Sequence, residues 1–264
     1  MNLELITKQV ANTCRSVSTY IRNELKNLKA TDVKSKGVHD FVTYVDKTSE
    51  KKLIKDLRRI LPSAGIIAEE NQEYKKSNLY NWVIDPLDGT TNFIHGVPLF
   101  SISIALMKGD EVIAGVVSEV NLHEYFYAWK DGGAFMNGHP IYVSTTEKLN
   151  DSLIATGFPY HDFDRLDPYL EVLKHLMQNS HGVRRLGSAA VDLAYVACGR
   201  YDGFYEYGLN SWDVAAGAII VKEAGGMVSD FTGSGKFVFG REIVACNQGI
   251  GAEFLELIKQ KFQE

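Results

Sequence analysis

The 264-residue sequence predicts a layered fold of mixed α+β and α/β character, with helices laid over sheets. Three observations carry this expectation. The first sixty residues contain two amphipathic helical patterns, residues 99–143 read as successive strands joined by turn signals, and from residue 151 strands and helices alternate. Two subdomains follow from these patterns. Residues 1–150 form an α+β unit with a mainly antiparallel sheet, and residues 151–264 form an α/β unit. No Pro/Ser-rich linker divides them, so close contact with a site between them is expected.

Each element has its own signal. Ile6, Val10, Val17, Ile21, Leu25 and Leu28 line one helical face, and the polar stretch 29–39 ends that helix. Phe41, Val42 and Val45 read as a short strand. Residues 47–60 form a second helix carrying Leu53, Ile54, Leu57 and Ile60, closed by Pro62. Residues 66–68 are a short apolar strand running into Glu69-Glu70, and 71–81 are a polar linker. Residues 99–107, 112–117 and 124–129 are strands, with a turn at Lys108-Gly109-Asp110. Asn137-Gly138 is a strong hairpin signal before 141–143. In the second half, strands are expected at 153–156, 203–206 and 243–246. Helices are expected at 164–178, after Ser188 as N-cap, at 212–224 before Gly225-Gly226, and at 253–262.

Composition excludes several classes. The net charge of −5 and the lack of a basic stripe give no footprint for nucleic acid. An acidic protein that handles an anion needs cations between the two. Cys14, Cys198 and Cys246 lie far apart, are odd in number and form no Cys-x-x-Cys pair, so a reducing cytoplasm is the simpler expectation. No basic stretch followed by an apolar block opens the chain, and no apolar run is long enough to span a bilayer.

The run Trp82-Val83-Ile84-Asp85-Pro86-Leu87-Asp88-Gly89-Thr90-Thr91-Asn92 carries the chemistry. An apolar strand stops, two aspartates follow around a proline, and Gly89-Thr90-Thr91 opens a helix. Carboxylates at such a turn suit hard cations such as Mg²⁺. Free backbone N–H groups at a helix start suit phosphate. Glu69 and Asp213 sit at other element ends, Glu69 after a strand and Asp213 at the start of a helix. Taken singly, each has a plain structural reading as turn residue, cap or solvated charge. Those readings do not explain why all of them fall at adjacent ends, where ligands bind in α/β proteins.

These residues resemble a known family. Residues 82–93 are similar to the first signature of the inositol monophosphatase family, the Mg²⁺-dependent, lithium-sensitive sugar-phosphate phosphatases. Trp212-Asp213-Val214-Ala215-Ala216-Gly217, with Glu223-Ala224-Gly225-Gly226 after it, is similar to the second. Ala68-Glu69-Glu70, Asp40-Phe41-Val42-Thr43 and Gly187-Ser188-Ala189-Ala190 extend the likeness over nearly the whole chain. Thr156-Gly157-Phe158-Pro159 and residues 192–197 read like its bacterial branch.

The resemblance implies an α-β-α-β-α sandwich, the inositol monophosphatase-like sugar phosphatase fold. It implies two to three Mg²⁺ ions. Glu69, Asp85 and the Leu87 carbonyl would hold the first, Asp85, Asp88 and Asp213 the second, and Glu69 with water a looser third. Glu69, Thr90 and Asp88 are the implied catalytic residues. Glu69 acts as base, Thr90 helps orient the water, and the N–H groups of Gly89 and Thr90 grip phosphate. Glu206, Gly187, Ser188, Ala189 and Asp213 are implied at the substrate, with Glu206 accepting polyol hydroxyls. The implied activity is hydrolysis of a small polyol phosphate monoester, most of all inositol monophosphate, by metal-activated water in a cytoplasmic homodimer. Fructose-1,6-bisphosphatase, NADP phosphatase and adenosine 3′,5′-bisphosphate phosphatase share the scaffold as alternatives. A non-enzymatic alternative is an accessory protein that binds the transcription machinery.

Lys36 is a further candidate near phosphate or a surface lysine. Trp212 is expected to pack beside the site, and His95 to be structural. Arg184-Arg185 are candidates to bind substrate, pair with acids or line a dimer interface, the last two being favoured. Asn210-Ser211 replaces the His-Cys of several animal relatives, and residues 160–167 differ from their substrate loop, which leaves inositol preference open. The three aspartates of that loop disfavour a second phosphate unless Tyr160, His161 or Arg165 turns inward.

Overall fold

The computed structural model describes residues 1–37, 40–71, 74–160 and 162–263, with the backbone alone at Ala30, Ser35, Lys36, Asp40, Phe41 and Gln263. Helix α1 (Leu3–Leu25) is followed by a small hairpin, β1 (Lys34–Gly37) and β2 (Asp40–Val42), and by α2 (Tyr44–Ile60). Then come β3 (Gly65–Ala68), β4 (Tyr80–Asp88), the short α3 (Thr90–Ile94), β5 (Ser101–Lys108), β6 (Glu111–Glu119), β7 (Glu124–Trp129), β8 (Ala134–Met136) and β9 (His139–Ile141). The remainder is β10 (Leu153–Thr156), α4 (Leu166–Gln178), β11 (Gly182–Arg184), α5 (Ala189–Ala197), β12 (Gly203–Tyr207), α6 (Ser211–Glu223), β13 (Met227–Ser229), β14 (Glu242–Cys246) and α7 (Gly251–Gln263).

Two sheets form the frame. The larger runs β3-β4-β5-β6-β7-β8-β9, antiparallel throughout except for the parallel β3–β4 pair. The smaller runs β11-β10-β12-β14-β13, with β10 parallel to both its neighbours and β14 antiparallel to its own.

Alternation along the strands decides the layers. In β4, Trp82 and Ile84 pack with Val10, Cys14, Val17, Leu53 and Leu57 of α1 and α2, while Val83 faces the opposite cluster. That opposite cluster joins Val83, Ala105, Val117 and Phe126 of the larger sheet to α5 and α6, and these to Ala155, Phe204, Ile243 and Ala245 of the smaller sheet. The far face of the smaller sheet packs Tyr205 and Val244 against Tyr169, Val172 and Leu176 of α4 and Phe254 and Ile258 of α7. The order is therefore α-β-α-β-α. Because both sheets are covered on two faces, β4 and β5 are buried along nearly their whole length.

Helix α6 lies in the middle layer and is buried on most sides. Its small residues permit close approach: a Cβ on Gly115 of β6 would sit 2.7 Å from the Ala216 carbonyl oxygen, and one on Gly217 would sit 2.5 Å from Leu193 Cβ.

Some elements differ from expectation. Val45 is helical, because Thr43 and Asp46 form a reciprocal capping box that starts α2 at Tyr44. Leu28 lies beyond the end of α1. Tyr80 and Asn81 belong to β4 rather than to the linker before it. Strands β1, β8, β11 and β13 were not expected, since three or four residues are too few for a period to show. The Asn137-Gly138 hairpin is present, with φ of 51° and 90° at the two turn residues. Among the described residues no helix is long and apolar enough to cross a membrane.

Candidate active site

The end of β4 is shaped by a bulge. Asp85 lies opposite Ser103 and Asp88 opposite Ser101, so β4 carries one residue more than β5 over this stretch. Pro86 has no N–H to give to the ladder. The Leu87 N–H turns instead to Asp85 Oδ1, at 2.9 Å. Gly89 follows with φ 90°, and a Cβ there would lie 3.2 Å from the Leu99 and Gly187 carbonyl oxygens, so glycine is required. The helix it opens has only five residues, so its dipole is small and the local N–H groups matter more than the axis.

Three other elements meet this turn. The parallel neighbour β3 ends at Ala68, and the Glu69 N–H donates to the Ile84 carbonyl at 3.2 Å. The Glu70 N–H donates to the buried Glu50 Oε2 of α2 at 3.0 Å, which anchors the loop carrying Glu69. From α5 comes the hold on Asp88, whose Oδ2 accepts from Ser188 Oγ at 2.6 Å and from the Ala190 N–H at 2.9 Å. Ser188 is also the N-cap of α5, accepting from Val191. Asp213 in the first turn of α6 accepts from the Asn210 N–H at 2.7 Å.

The outcome is a compact acidic group. Ligand oxygens of Asp85, Asp88 and Asp213 all lie within 4.8 Å of one another. Burial raises all three carboxyls above their ordinary range; for Asp85 the charges of Glu69, Asp88 and Asp213 push further, and for Asp213 those of Asp88 and Glu69. Hydrogen bonds to Ser188 and Ala190 oppose the shift at Asp88. Carboxylates forced together out of water are relieved by a multivalent cation with oxygen preference, and the donor set fits one.

A buried acid that sequence reasoning missed stands behind Thr90. Asp46 Oδ2 accepts from the Thr43 N–H at 2.8 Å and its hydroxyl at 2.6 Å, while Oδ1 accepts from Thr90 Oγ1 at 3.0 Å. Thr90 Oγ1 also lies 2.9 Å from the Leu87 carbonyl. One hydroxyl proton thus has two acceptors. The only trace in the sequence is Thr43-x-x-Asp46, which reads as a helix cap and nothing more.

These groups line a cavity of about 420 Å³, a size suited to a small ligand. Glu69, Asp85, Leu87, Asp88, Gly89, Thr90, Gly187, Ser188, Ala189, Glu206 and Asp213, the whole set expected from the sequence, line it together. Glu206 is buried, and burial raises its carboxyl well above the ordinary range, with the Asp192 charge adding and Arg185 opposing. Gly157 leaves room for it, since a Cβ there would fall 2.0 Å from Glu206 Oε2.

The remaining candidates divide. Arg185 and Tyr160 line the cavity, so Arg185 faces the site, where the sequence reading favoured an acid pair or an interface. Trp212 lines it too, its carbonyl accepting from Ser103 Oγ at 2.8 Å. Arg184 is exposed, and His95 is exposed and outside the lining. Arg165 pairs with Glu242 and lies over Phe262, away from the cavity. The Lys36 side chain and His161 lie outside the described residues.

Comparison with known proteins agrees with this geometry. Residues 2–263 match the model of the inositol monophosphatase family. The chain is 45% identical over 238 residues to the Nus factor SuhB of Pseudomonas aeruginosa, covering 88% of each chain. It is 40% identical over 238 residues to the inositol-1-monophosphatase of Rhizobium meliloti, covering 90% of this chain and 88% of that one. The solved structure of the extragenic suppressor protein suhB from Bartonella henselae superposes with a TM-score of 0.91 at 36% identity, covering 97% of this chain and 99% of the other. Sequence signatures, layer order and acidic turn converge, and the chain belongs to the inositol monophosphatase family.

Proposed function

We propose that the protein hydrolyses a small polyol phosphate monoester, inositol monophosphate foremost, with two to three Mg²⁺ ions held by Glu69, Asp85, Asp88, Asp213 and the Leu87 carbonyl. The observation that carries this reading is the acidic group of Asp85, Asp88 and Asp213 in one cavity with Glu206. Bound divalent cations supply charge neutralisation at the phosphoryl oxygens and at the leaving oxygen, and lower the proton affinity of water. The chain's own residues do the rest. Backbone N–H groups of Gly89 and Thr90 donate to phosphoryl oxygens. Asp46 accepts the hydrogen bond of the Thr90 hydroxyl, which turns a Thr90 lone pair toward the attacking water, and Glu69 accepts that water's proton. Asp88 and Asp213 act on the phosphoryl group only through the cations they hold, since their own charge repels it. Gly187, Ser188 and Ala189 line the polyol, and Glu206 accepts its hydroxyls. Catalysis on this account is positioning and charge.

The reading treats residues 1–150 and 151–264 as two subdomains; every strand of the larger sheet precedes the division and every strand of the smaller one follows it. It takes the protein as a cytoplasmic homodimer without direct nucleic-acid contact, in keeping with three unpaired thiols and an acidic balance.

Phosphate release from inositol 1-phosphate, fructose 1,6-bisphosphate, NADP and adenosine 3′,5′-bisphosphate, with and without Mg²⁺, tests it. Mg²⁺-dependent release greatest from inositol 1-phosphate is expected; no release from it sinks the reading. Gly157→Ala is expected to raise KM for inositol 1-phosphate about tenfold or more, because the new methyl occupies Glu206's place and leaves polyol hydroxyls unmet. An unaltered KM would argue that Glu206 does not touch substrate.

The Nus-factor relative favours a second reading, an accessory protein for the transcription machinery. Capture of RNA polymerase by both the wild-type chain and Asp88→Asn would support it as a role separate from catalysis.

A further inference from the structure

The cavity contains polar groups that the reaction above leaves unused. Asp192, in the first turn of α5, is 1% exposed and lines the cavity, yet its Oδ1 has no hydrogen-bond partner. A buried carboxylate oxygen left unmet destabilises a fold and persists where a ligand meets it. Arg185, just before that helix, shows the same feature, since its Nε is also buried and unmet. The rest of its guanidinium is held in place: it donates to the Tyr160 hydroxyl and lies 5.2 Å from the Phe158 ring centre and 5.5 Å from that of Tyr160. Asp192, Arg185 and Glu206 act on one another electrostatically.

Unmet groups of these types describe their ligand. A carboxylate accepts a hydroxyl proton, and a guanidinium donates to a hydroxyl oxygen. We propose that Asp192 is a specificity-determining residue, a second hydroxyl-reading carboxylate beside Glu206, with Arg185 as the donor between them. The wall they form selects a phosphate ester with neighbouring free hydroxyls over one without them. This deepens the phosphatase reading and rests on it.

Asp192→Ala and the shape-preserving Asp192→Asn test the inference, assayed with Mg²⁺ on inositol 1-phosphate, p-nitrophenyl phosphate and fructose 1,6-bisphosphate. For Asp192→Ala, kcat/KM on inositol 1-phosphate relative to p-nitrophenyl phosphate is expected to fall about tenfold, through KM. The rate on fructose 1,6-bisphosphate, which also carries free hydroxyls, is expected to fall relative to p-nitrophenyl phosphate as well. The melting temperature is expected to hold or rise, because an unmet buried oxygen is removed. Asp192→Asn should move the same ratio in the same direction. Unchanged ratios in both variants overturn the inference. So does an equal loss on all substrates with a lowered melting temperature, which would assign Asp192 to packing. A wild-type protein inactive on every substrate would defeat the phosphatase reading itself, and the inference with it. An active wild type indifferent to Asp192 would defeat the inference alone.

Discussion

Asp88→Asn is expected to lower kcat about 100- to 1,000-fold while raising the melting temperature of the metal-free protein. The two effects have one cause. Asp88 is crowded against Asp85 and Asp213, and the negative charge that a cation needs is the same charge that strains the empty site. Asparagine keeps the shape and one acceptor for Ser188 and the Ala190 N–H, so the fold should persist. The pH dependence has a definite sign. In the folded chain Asp85, Asp88 and Asp213 hold protons more tightly than an unfolded aspartate does. Their contribution to stability is complete below the usual pKa of about 3.9 and is lost as pH rises through the elevated folded values. Mg²⁺ competes with those protons, so the gap between melting temperatures with Mg²⁺ and with chelator should widen as pH rises. In Asp88→Asn the gap should shrink. Scanning fluorimetry across pH checks both signs, and a gap that narrows with pH would count against the carboxylate cage.

Asp46→Ala should damage both stability and turnover. The cap of α2 loses its reciprocal acceptor, and the buried Thr43 N–H loses its partner, costing about 1–3 kcal/mol in a denaturant titration. The effect on catalysis is more specific. Thr90 Oγ1 now has two acceptors, Asp46 Oδ1 at 3.0 Å and the Leu87 carbonyl at 2.9 Å. Without Asp46, its proton goes wholly to Leu87, and that carbonyl is less available to a cation. The expected result is a fall in kcat of about 100-fold, with more Mg²⁺ needed for half-maximal rate. Thr90→Val should show much of the same loss with α2 intact. If Asp46→Ala changes stability but leaves the Mg²⁺ requirement alone, Asp46 is a cap only.

The turn at the heart of the site was legible because its signals are local. An apolar run buried on both faces, a proline without an N–H and a glycine at positive φ mark where β4 stops and why Asp85 and Asp88 point where they do. Ser188 and Asp213 were legible for a similar reason, since helix starts advertise themselves in a few residues. Asp46 was hidden by that same rule. Its cap signature is complete without Thr90, and only the packing of α2 beside the β4 turn gives its second oxygen a use. Gly157 reads as punctuation until Glu206 is seen where its side chain would stand.

Short strands escaped for a further reason. Three residues of β8, β11 or β13 hold too little pattern to show a period. Helix α6, covered on most sides, has no polar stripe to mark its faces and was legible from its ends. Periodicity reports burial on one side, and the middle layer of this fold has neighbours on both.

By itself, the chain determined its element ends, its layered class and the carboxylates that stand at those ends, because each of these is set by groups within a few residues of one another. The tertiary structure alone decided which of those ends share a cavity, that Asp46 backs Thr90, and that Asp192 and Arg185 face the same space as Glu206. Those pairings span from about fourteen to more than a hundred residues of chain. They exist only once two sheets have closed on α5 and α6, and burial has turned spacing in sequence into distances of a few ångström.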